Sequence, residues 1–204
     1  MNKPEILNTI KKRILEAEDG SVFVTADFAD VAENAKIVTS LGRLEDEKII
    51  RRLIRGVYEK PEYNEFLDEY VAPSPDKMAH ALARNFGWTV VPCGDTALNL
   101  LGLSTQVPAV WLYVSDGTYK EYTYENITIK FKRTTNKEIS KVSSKTALVI
   151  QAIKALGKES VTDDVIDKIR EVTTEDEKTA MFAEAKYATS WIYDVIKIIC
   201  GGVR

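Results

Sequence analysis

The chain has 204 residues, of which 45% are apolar and 29% are charged, a composition typical of a globular protein. No apolar run approaches the ~20 residues of a membrane-spanning helix, and the polar start lacks a signal peptide's apolar stretch, so we expect a cytoplasmic protein. The net charge of −3, from 28 basic and 31 acidic residues, argues against polyanion binding over the whole surface, so a nucleic-acid site would have to be a local basic patch.

The N-terminal region carries alternating signals for helices and short strands. Apolar residues recur at helical spacing over residues 3–17 and predict an amphipathic helix. A β-branched and aromatic run at residues 21–25 predicts a short strand, which a brief helix follows. Asn34 is expected to cap the next helix, whose apolar face includes Leu41 and Leu44.

A basic hairpin is predicted directly after this helix. Residues 49–54 predict a strand, Gly56 a turn, and residues 57–58 a return strand. Three arginines lie around the turn: Arg51, Arg52 and Arg55. A helix followed by a basic hairpin is typical of a winged helix-turn-helix domain, here residues 1–60. An ordinary surface hairpin with solvated charges has the same local pattern.

The predicted domain suggests which side chains would contact DNA. In a helix-turn-helix the second helix enters the major groove, where short polar and cationic side chains reach base edges. The candidates on this helix are Asn34, Lys36, Thr39, Ser40 and Arg43. The hairpin arginines are expected to contact phosphates or the minor groove. The alternative is a winged helix that contacts only proteins, which the neighbouring acidic run at residues 45–47 favours.

The remainder of the chain predicts a second domain and an α+β fold class. Residues 61–75 contain three prolines and predict a linker or connecting strand, and residues 76–204 predict a mixed α/β domain with a small sheet and C-terminal helices. A helix ending at Gly87 begins this domain. Strands are predicted at residues 88–91, 110–114, 119–124 and 126–133, with Asp116–Gly117 as a hairpin turn. Further helices are predicted at residues 94–101, 144–156, 162–169 and 178–199. The last is apolar enough to be buried in its own domain, and dimerisation or partner contact is the alternative.

Two segments carry the most distinctive motifs of the chain. The first is VFVTADFADV followed by VTSLGRLEDEKIIRRLIRGVYEKP, and the second is PDKMAHALARNFGWTVVPCGDTALNLLGLSTQVP. Together they resemble the AbiEi-type antitoxins, the regulator half of type IV toxin–antitoxin systems, over residues 5–135. The resemblance implies a non-enzymatic repressor that binds double-stranded DNA at inverted repeats in its own promoter, with two molecules on two half-sites. It also implies a nucleotidyltransferase-like toxin as functional partner, counteracted without a stable complex.

A second basic stretch lies at residues 129–145, with six basic residues and one acidic residue. Its candidate surface residues are Lys130, Lys132, Arg133, Lys137 and Lys141. Three interpretations remain open. The stretch extends the contact with the DNA backbone, it meets an acidic toxin, or it is a solvated strand edge whose lysines discourage aggregation.

Residue types used in catalysis are present, but they lack the patterns that catalysis needs. His80 lies on a predicted helix without a Ser or Cys motif, so a partly buried structural role is expected. Asp163, Asp164 and Asp167 follow Thr162 on one helix, where capping and the helix dipole account for them. There is no CxxC pair, GxxxxGK[ST] loop or GS-x-x-x-D nucleotidyltransferase motif. We therefore expect no catalytic residue, no metal site and no cofactor.

Some features remain open between structure and function. The segment at residues 94–108 is explained by packing and a helix-ending turn, but Ser104, Thr105 and Gln106 offer polar contacts to a partner or a phosphate. Cys93 and Cys200 are expected to be reduced, structural thiols. For the whole chain, the alternatives are a protein-interaction module without DNA binding and an uncharacterised enzyme with its site in the C-terminal domain.

Overall fold

The computed structural model describes residues 3–134 and 139–201, and its fold is mixed α+β, as predicted. The chain forms two compact units. The first consists of Met1–Trp88 with Thr123–Glu125, and the second of Thr89–Tyr122 with Asn126–Arg204. Over the described residues, none of the helices is both long and apolar enough to cross a membrane.

The first unit begins with the predicted order of helix, strand, short helix, helix and hairpin. Its elements are α1 (Lys3–Glu16), β1 (Val22–Val24), a 3-10 helix (Thr25–Phe28), α2 (Asn34–Asp46), β2 (Arg51–Ile54) and β3 (Val57–Glu59). The strands form an antiparallel sheet in the order β1-β3-β2. A two-residue turn, Arg55–Gly56, joins β2 to β3, and Gly56 takes a φ of 80° that disfavours other residues.

The core of this unit lies between α1, α2 and the sheet. Ile10, Ile14, Leu41 and Leu44 are fully buried because spacings of three and four residues place them on the inner faces of the two helices. Burying each such side chain stabilises the fold by about 1.5–3 kcal/mol. The prediction that Asn34 caps α2 is wrong: the extended cap position is Glu33, so Asn34 is the first helical residue and is exposed.

The predicted linker contains a hairpin, and the first unit continues beyond it. β4 (Tyr63–Asn64) and β5 (Glu69–Tyr70) pair with each other, and α3 (Pro75–Phe86) follows. The α3 residue Arg84 donates hydrogen bonds to both Asp27 carboxylate oxygens, at 2.8 and 3.0 Å, and to the Val22 carbonyl at 2.9 Å. These bonds tie α3 to β1 and the 3-10 helix. The division between the two compact units therefore follows Trp88, beyond the predicted linker.

A four-stranded sheet is formed by β6 (Val90–Pro92), β7 (Trp111–Ser115), β8 (Lys120–Tyr124) and β9 (Ile127–Arg133), and all of it except the last two residues of β8 belongs to the second unit. The strand order is β6-β7-β9-β8, and β7 runs parallel to β9. The predicted hairpin turn at Asp116–Gly117 is therefore wrong, because β9 lies between β7 and β8. The buried Ile129 and Phe131 suit β9 to this central position, whereas the exposed Glu121 suits β8 to an edge.

The helices that accompany this sheet include α4 (Asp95–Leu100), α5 (Ser144–Leu156), α6 (Asp163–Glu171), α7 (Glu175–Glu184) and α8 (Ser190–Ile199). The predicted helix at residues 178–199 is two helices, because Ala188 and Thr189 adopt extended backbone conformations after a 3-10 turn. Thr174 and Glu177 form a capping box at the start of α7. The α8 residues Ile192, Ile196 and Ile199 are buried in the core of this unit, as the intramolecular interpretation expected.

Candidate nucleic-acid interface

The outer face of α2 carries most of the predicted base-contacting residues. Asn34, Lys36, Thr39 and Arg43 are exposed. The Thr39 hydroxyl donates to the Ala35 carbonyl at 2.9 Å. Ser40 is only 6% exposed, and its hydroxyl donates to the Lys36 carbonyl at 2.9 Å, so it contributes less to this face than predicted.

A shallow depression connects this face with the start of α1. It has a volume of about 190 Å³ and is lined by Lys3, Ile6, Ala35, Lys36, Thr39, Ser40 and Arg43. Four predicted residues are thus brought together with Lys3, which sequence analysis missed. The sequence does carry a signal for Lys3: it lies three residues before the buried Ile6, so helical spacing places both residues on the side of α1 that faces α2.

The three hairpin arginines are not equivalent. Arg51 forms an ion pair with Glu59 on the neighbouring strand and donates to the Val71 carbonyl at 2.6 Å. Arg52 and Arg55 are exposed. Arg51 therefore holds the hairpin in place, and the available cationic surface comes from Arg52 and Arg55.

The partner of Arg51 is a buried carboxylate that sequence analysis did not single out. Glu59 is only 2% exposed and lies opposite Arg51 in the β2–β3 register. Burial raises the pKa of Glu59, and the hydrogen bond and charge of Arg51 act in the opposite direction. The sequence does carry a signal for this pair: counting outward from the Arg55–Gly56 turn places Arg51 and Glu59 on facing strands of the hairpin.

The acidic run at residues 45–47 is partly neutralised within the first unit. Glu47 forms an ion pair with Lys11 of α1 at 2.7 Å, and Glu45 is half-buried. These contacts reduce the negative charge that the run presents beside α2.

Residues 9–181 match a family described as "Family of unknown function (DUF6088)". The chain belongs to the DUF6088 family. None of the curated proteins matches it.

The second basic stretch of this DUF6088 protein is divided between paired and exposed side chains. Lys130 forms an ion pair with Glu121 of β8 at 3.1 Å, whereas Lys132, Arg133 and Lys141 are exposed. Lys137 lies outside the described residues. The strand-edge interpretation is wrong for β9, because this strand is flanked by β7 and β8.

In this DUF6088 chain, the residues considered for catalysis make contacts that stabilise their own helices. His80 is exposed, not partly buried as expected, and lies 3.7 Å from Asp76 one helical turn away. The Thr162 hydroxyl caps α6 by accepting from the Val165 amide, with Asp163 in the first turn. Within residues 3–134 and 139–201, no group of three His, Cys, Asp or Glu side chains is arranged to hold a metal ion.

The remaining polar and thiol candidates are accounted for in the same way. The Asn99 side-chain amide donates to the backbone carbonyl of Gln106 at 3.0 Å, and the Gln106 backbone amide donates to the Ser104 hydroxyl at 3.2 Å. These hydrogen bonds order the turn after α4. Cys93 and Cys200 are free thiols. Burial raises the pKa of Cys93 to about 11, so its unreactive protonated form dominates at neutral pH.

Proposed function

We propose that this DUF6088 protein is a DNA-binding transcriptional regulator whose first unit is a winged helix. One observation carries the proposal: the polar and cationic face of α2 and the Arg52–Arg55 hairpin belong to the same compact unit. The order of helices and strands, with the sheet order β1-β3-β2, supports it. In this assignment α2 enters the major groove and the β2–β3 hairpin is the wing.

The side chains divide into base-contacting and phosphate-contacting groups. Asn34 and Arg43 are assigned to base edges, because asparagine favours adenine and arginine favours guanine. Arg52 and Arg55 are assigned to phosphates, where they position the domain on the duplex. Arg51 serves the interface indirectly, because its ion pair with Glu59 fixes the hairpin.

The biological role we propose is that of an antitoxin in a type IV toxin–antitoxin system. The two sequence segments that resemble AbiEi-type antitoxins support this role. The protein represses its own promoter, two molecules bind inverted repeats, and it counteracts a nucleotidyltransferase-like toxin without a stable complex. It acts without catalysis, in the cytoplasm.

DNA binding is tested by fluorescence anisotropy with duplexes that tile the region upstream of the gene and with a scrambled duplex. The wild-type protein is expected to prefer one upstream duplex. Arg43→Ala is expected to reduce this preference by about 1–3 kcal/mol, because a base contact is lost. Lys168→Ala in the second unit is the matched control, since it removes an exposed positive charge outside the proposed interface. Absence of binding at low salt, or an unchanged preference in Arg43→Ala, would contradict the proposal.

The antitoxin role requires a separate measurement. A nucleotidyltransferase-like gene beside this one would be expressed alone and together with the regulator, and growth would be followed. Co-expression is expected to restore growth, and pull-down of the toxin by the regulator is expected to fail. Growth that the regulator leaves unchanged would contradict the antitoxin role and leave DNA binding untouched.

A further inference from the structure

A second hairpin of the first unit, β4–β5, projects a phenyl ring into solvent. The side chain of Phe66 is 94% exposed at its tip, and the neighbouring Leu67 is 58% exposed. Tyr63 and Tyr70 on the two strands are also exposed. Single exposed apolar residues are ordinary, but a concentration of them on one short hairpin indicates an interaction surface.

This hairpin tip is ordered by its own hydrogen bonds. The Asn64 carboxamide oxygen accepts from the backbone amides of Phe66 and Leu67, at 3.0 and 3.1 Å. The rings of Tyr63 and Tyr70 pack edge to face with centroids 5.1 Å apart, and the Tyr63 hydroxyl donates to a carboxylate oxygen of Asp68. A tip with a fixed shape loses little conformational entropy when it docks.

The charge of the hairpin restricts its partner. Residues 61–76 contain five acidic residues and no lysine or arginine: Glu62, Glu65, Asp68, Glu69 and Asp76. Tip-to-tip pairing of two copies would bring like charges together, which is unfavourable. The complementary surface is an apolar hollow with a basic rim.

The depression between α1 and α2 has this chemistry. Ile6 and Ala35 contribute its apolar lining, and Lys3 and Arg43 contribute positive charge together with Lys36, whose ammonium group lies 3.7 Å from the exposed Glu33 carboxylate. Its volume of about 190 Å³ is enough for a phenyl ring, since a cavity of about 150 Å³ accepts benzene. Because Phe66 is almost fully exposed, the tip does not occupy the depression of its own chain.

We propose that the β4–β5 tip docks in the α1–α2 depression of a second copy of the chain. Phe66 enters the hollow, and Glu65 and Asp68 approach its basic rim. The depression includes Arg43, which is assigned to a base edge, and the candidate DNA contacts Lys36 and Thr39, so self-association and DNA binding compete. The competition rests on the proposed function, whereas the self-association does not.

Sedimentation velocity of the full chain without DNA tests the contact. Phe66→Ala removes the phenyl ring from the tip, and Arg43→Glu replaces a positive charge of the depression with a negative one. Each variant is therefore expected to weaken self-association about tenfold or more. A mixture of the two variants is expected to associate, because one supplies an intact depression and the other an intact tip. Val107→Ala is the control, since it removes an exposed apolar side chain from the second unit.

Three outcomes would overturn the contact. The first is a wild-type protein that stays monomeric at about 100 µM, a concentration within the range of weak interfaces. The others are a Phe66→Ala variant that associates as the wild type does, and a mixture of the two variants that stays monomeric.

The competition between self-association and DNA binding is tested by anisotropy with the upstream duplex. Phe66→Ala is expected to bind DNA about threefold more tightly than wild type at concentrations where the wild type associates. Equal affinities would overturn the competition. Self-association through Phe66 without any DNA binding would instead overturn the proposed function and leave the docking intact.

Discussion

The first unit carries two successive hairpins that differ in how they are anchored. β2–β3 belongs to a three-stranded sheet, and Leu53, Val57 and Tyr58 are buried beneath it. β4–β5 has two strands and is ordered by contacts among its own side chains. The core fixes the direction of the first hairpin, whereas the second has its tip shape fixed by local hydrogen bonds and its end held by the Arg51–Val71 hydrogen bond. A rigid hairpin suits contact with a large, regular ligand such as a DNA backbone.

The two hairpins also differ in charge. The first exposes Arg52 and Arg55 and the second exposes Glu65 and Glu69. A phosphate backbone attracts the first hairpin and repels the second. If the first hairpin is the wing, the second is left for protein contacts. Under the proposed function, the same secondary structure thus serves opposite partners through its anchoring and its charge.

The largest expected effect tests the anchoring. Glu59→Ala leaves Arg51 without its buried partner and is expected to lower the free energy of unfolding by about 2 kcal/mol, less than for a fully buried pair because Arg51 is partly exposed. Asp68→Ala, which removes the exposed partner of Tyr63 in the second hairpin, is expected to cost about 0.5 kcal/mol. Urea unfolding measures both. Equal losses would contradict the difference in anchoring.

The next effect tests the charge. The double variant Arg52→Ala, Arg55→Ala is expected to weaken binding to every duplex roughly tenfold at about 0.1 M salt, and to reduce the log–log salt slope by about two. The double variant Glu65→Ala, Glu69→Ala makes the matched change in the second hairpin and is expected not to weaken binding. Anisotropy titrations over a series of salt concentrations provide both quantities. A salt slope that the arginine variant leaves unchanged would remove the first hairpin from the interface.

The contrast between the hairpins also shows what the sequence could predict. The elements of residues 3–59 follow from local patterns, because the spacing of Ile10, Ile14, Leu41 and Leu44 is visible in the chain itself. The second hairpin was missed because its acidic residues and the prolines on either side of it are typical of a linker.

Elsewhere, the sequence-based predictions differ from the structure where the fold depends on contacts between residues that lie far apart in the sequence. The place of α3 in the first unit depends on its contacts with β1 and the 3-10 helix, including the Arg84–Asp27 pair, whose partners lie far apart in the sequence. The parallel pairing of β7 with β9 likewise depends on sheet order, not on the Asp116–Gly117 turn. In the candidate site, the exposed α2 residues were predictable from helical spacing. The structural role of Arg51 required its register partner, Glu59.

The smallest effect concerns the pH dependence of the anchoring pair. Burial raises the pKa of Glu59, so the stability contributed by its protonated form is fully present below its unfolded pKa of about 4.3 and is lost as pH rises through the folded value. Glu59→Gln keeps an acceptor for Arg51 and does not titrate. The free energy of unfolding of wild type relative to Glu59→Gln is therefore expected to fall as pH rises through this range in urea titrations. Glu65→Gln makes the same change at an exposed position and serves as the control. A difference that stays constant with pH would mean that the hydrogen bond and charge of Arg51 fully offset the burial of Glu59, and the predicted rise of its pKa would be wrong.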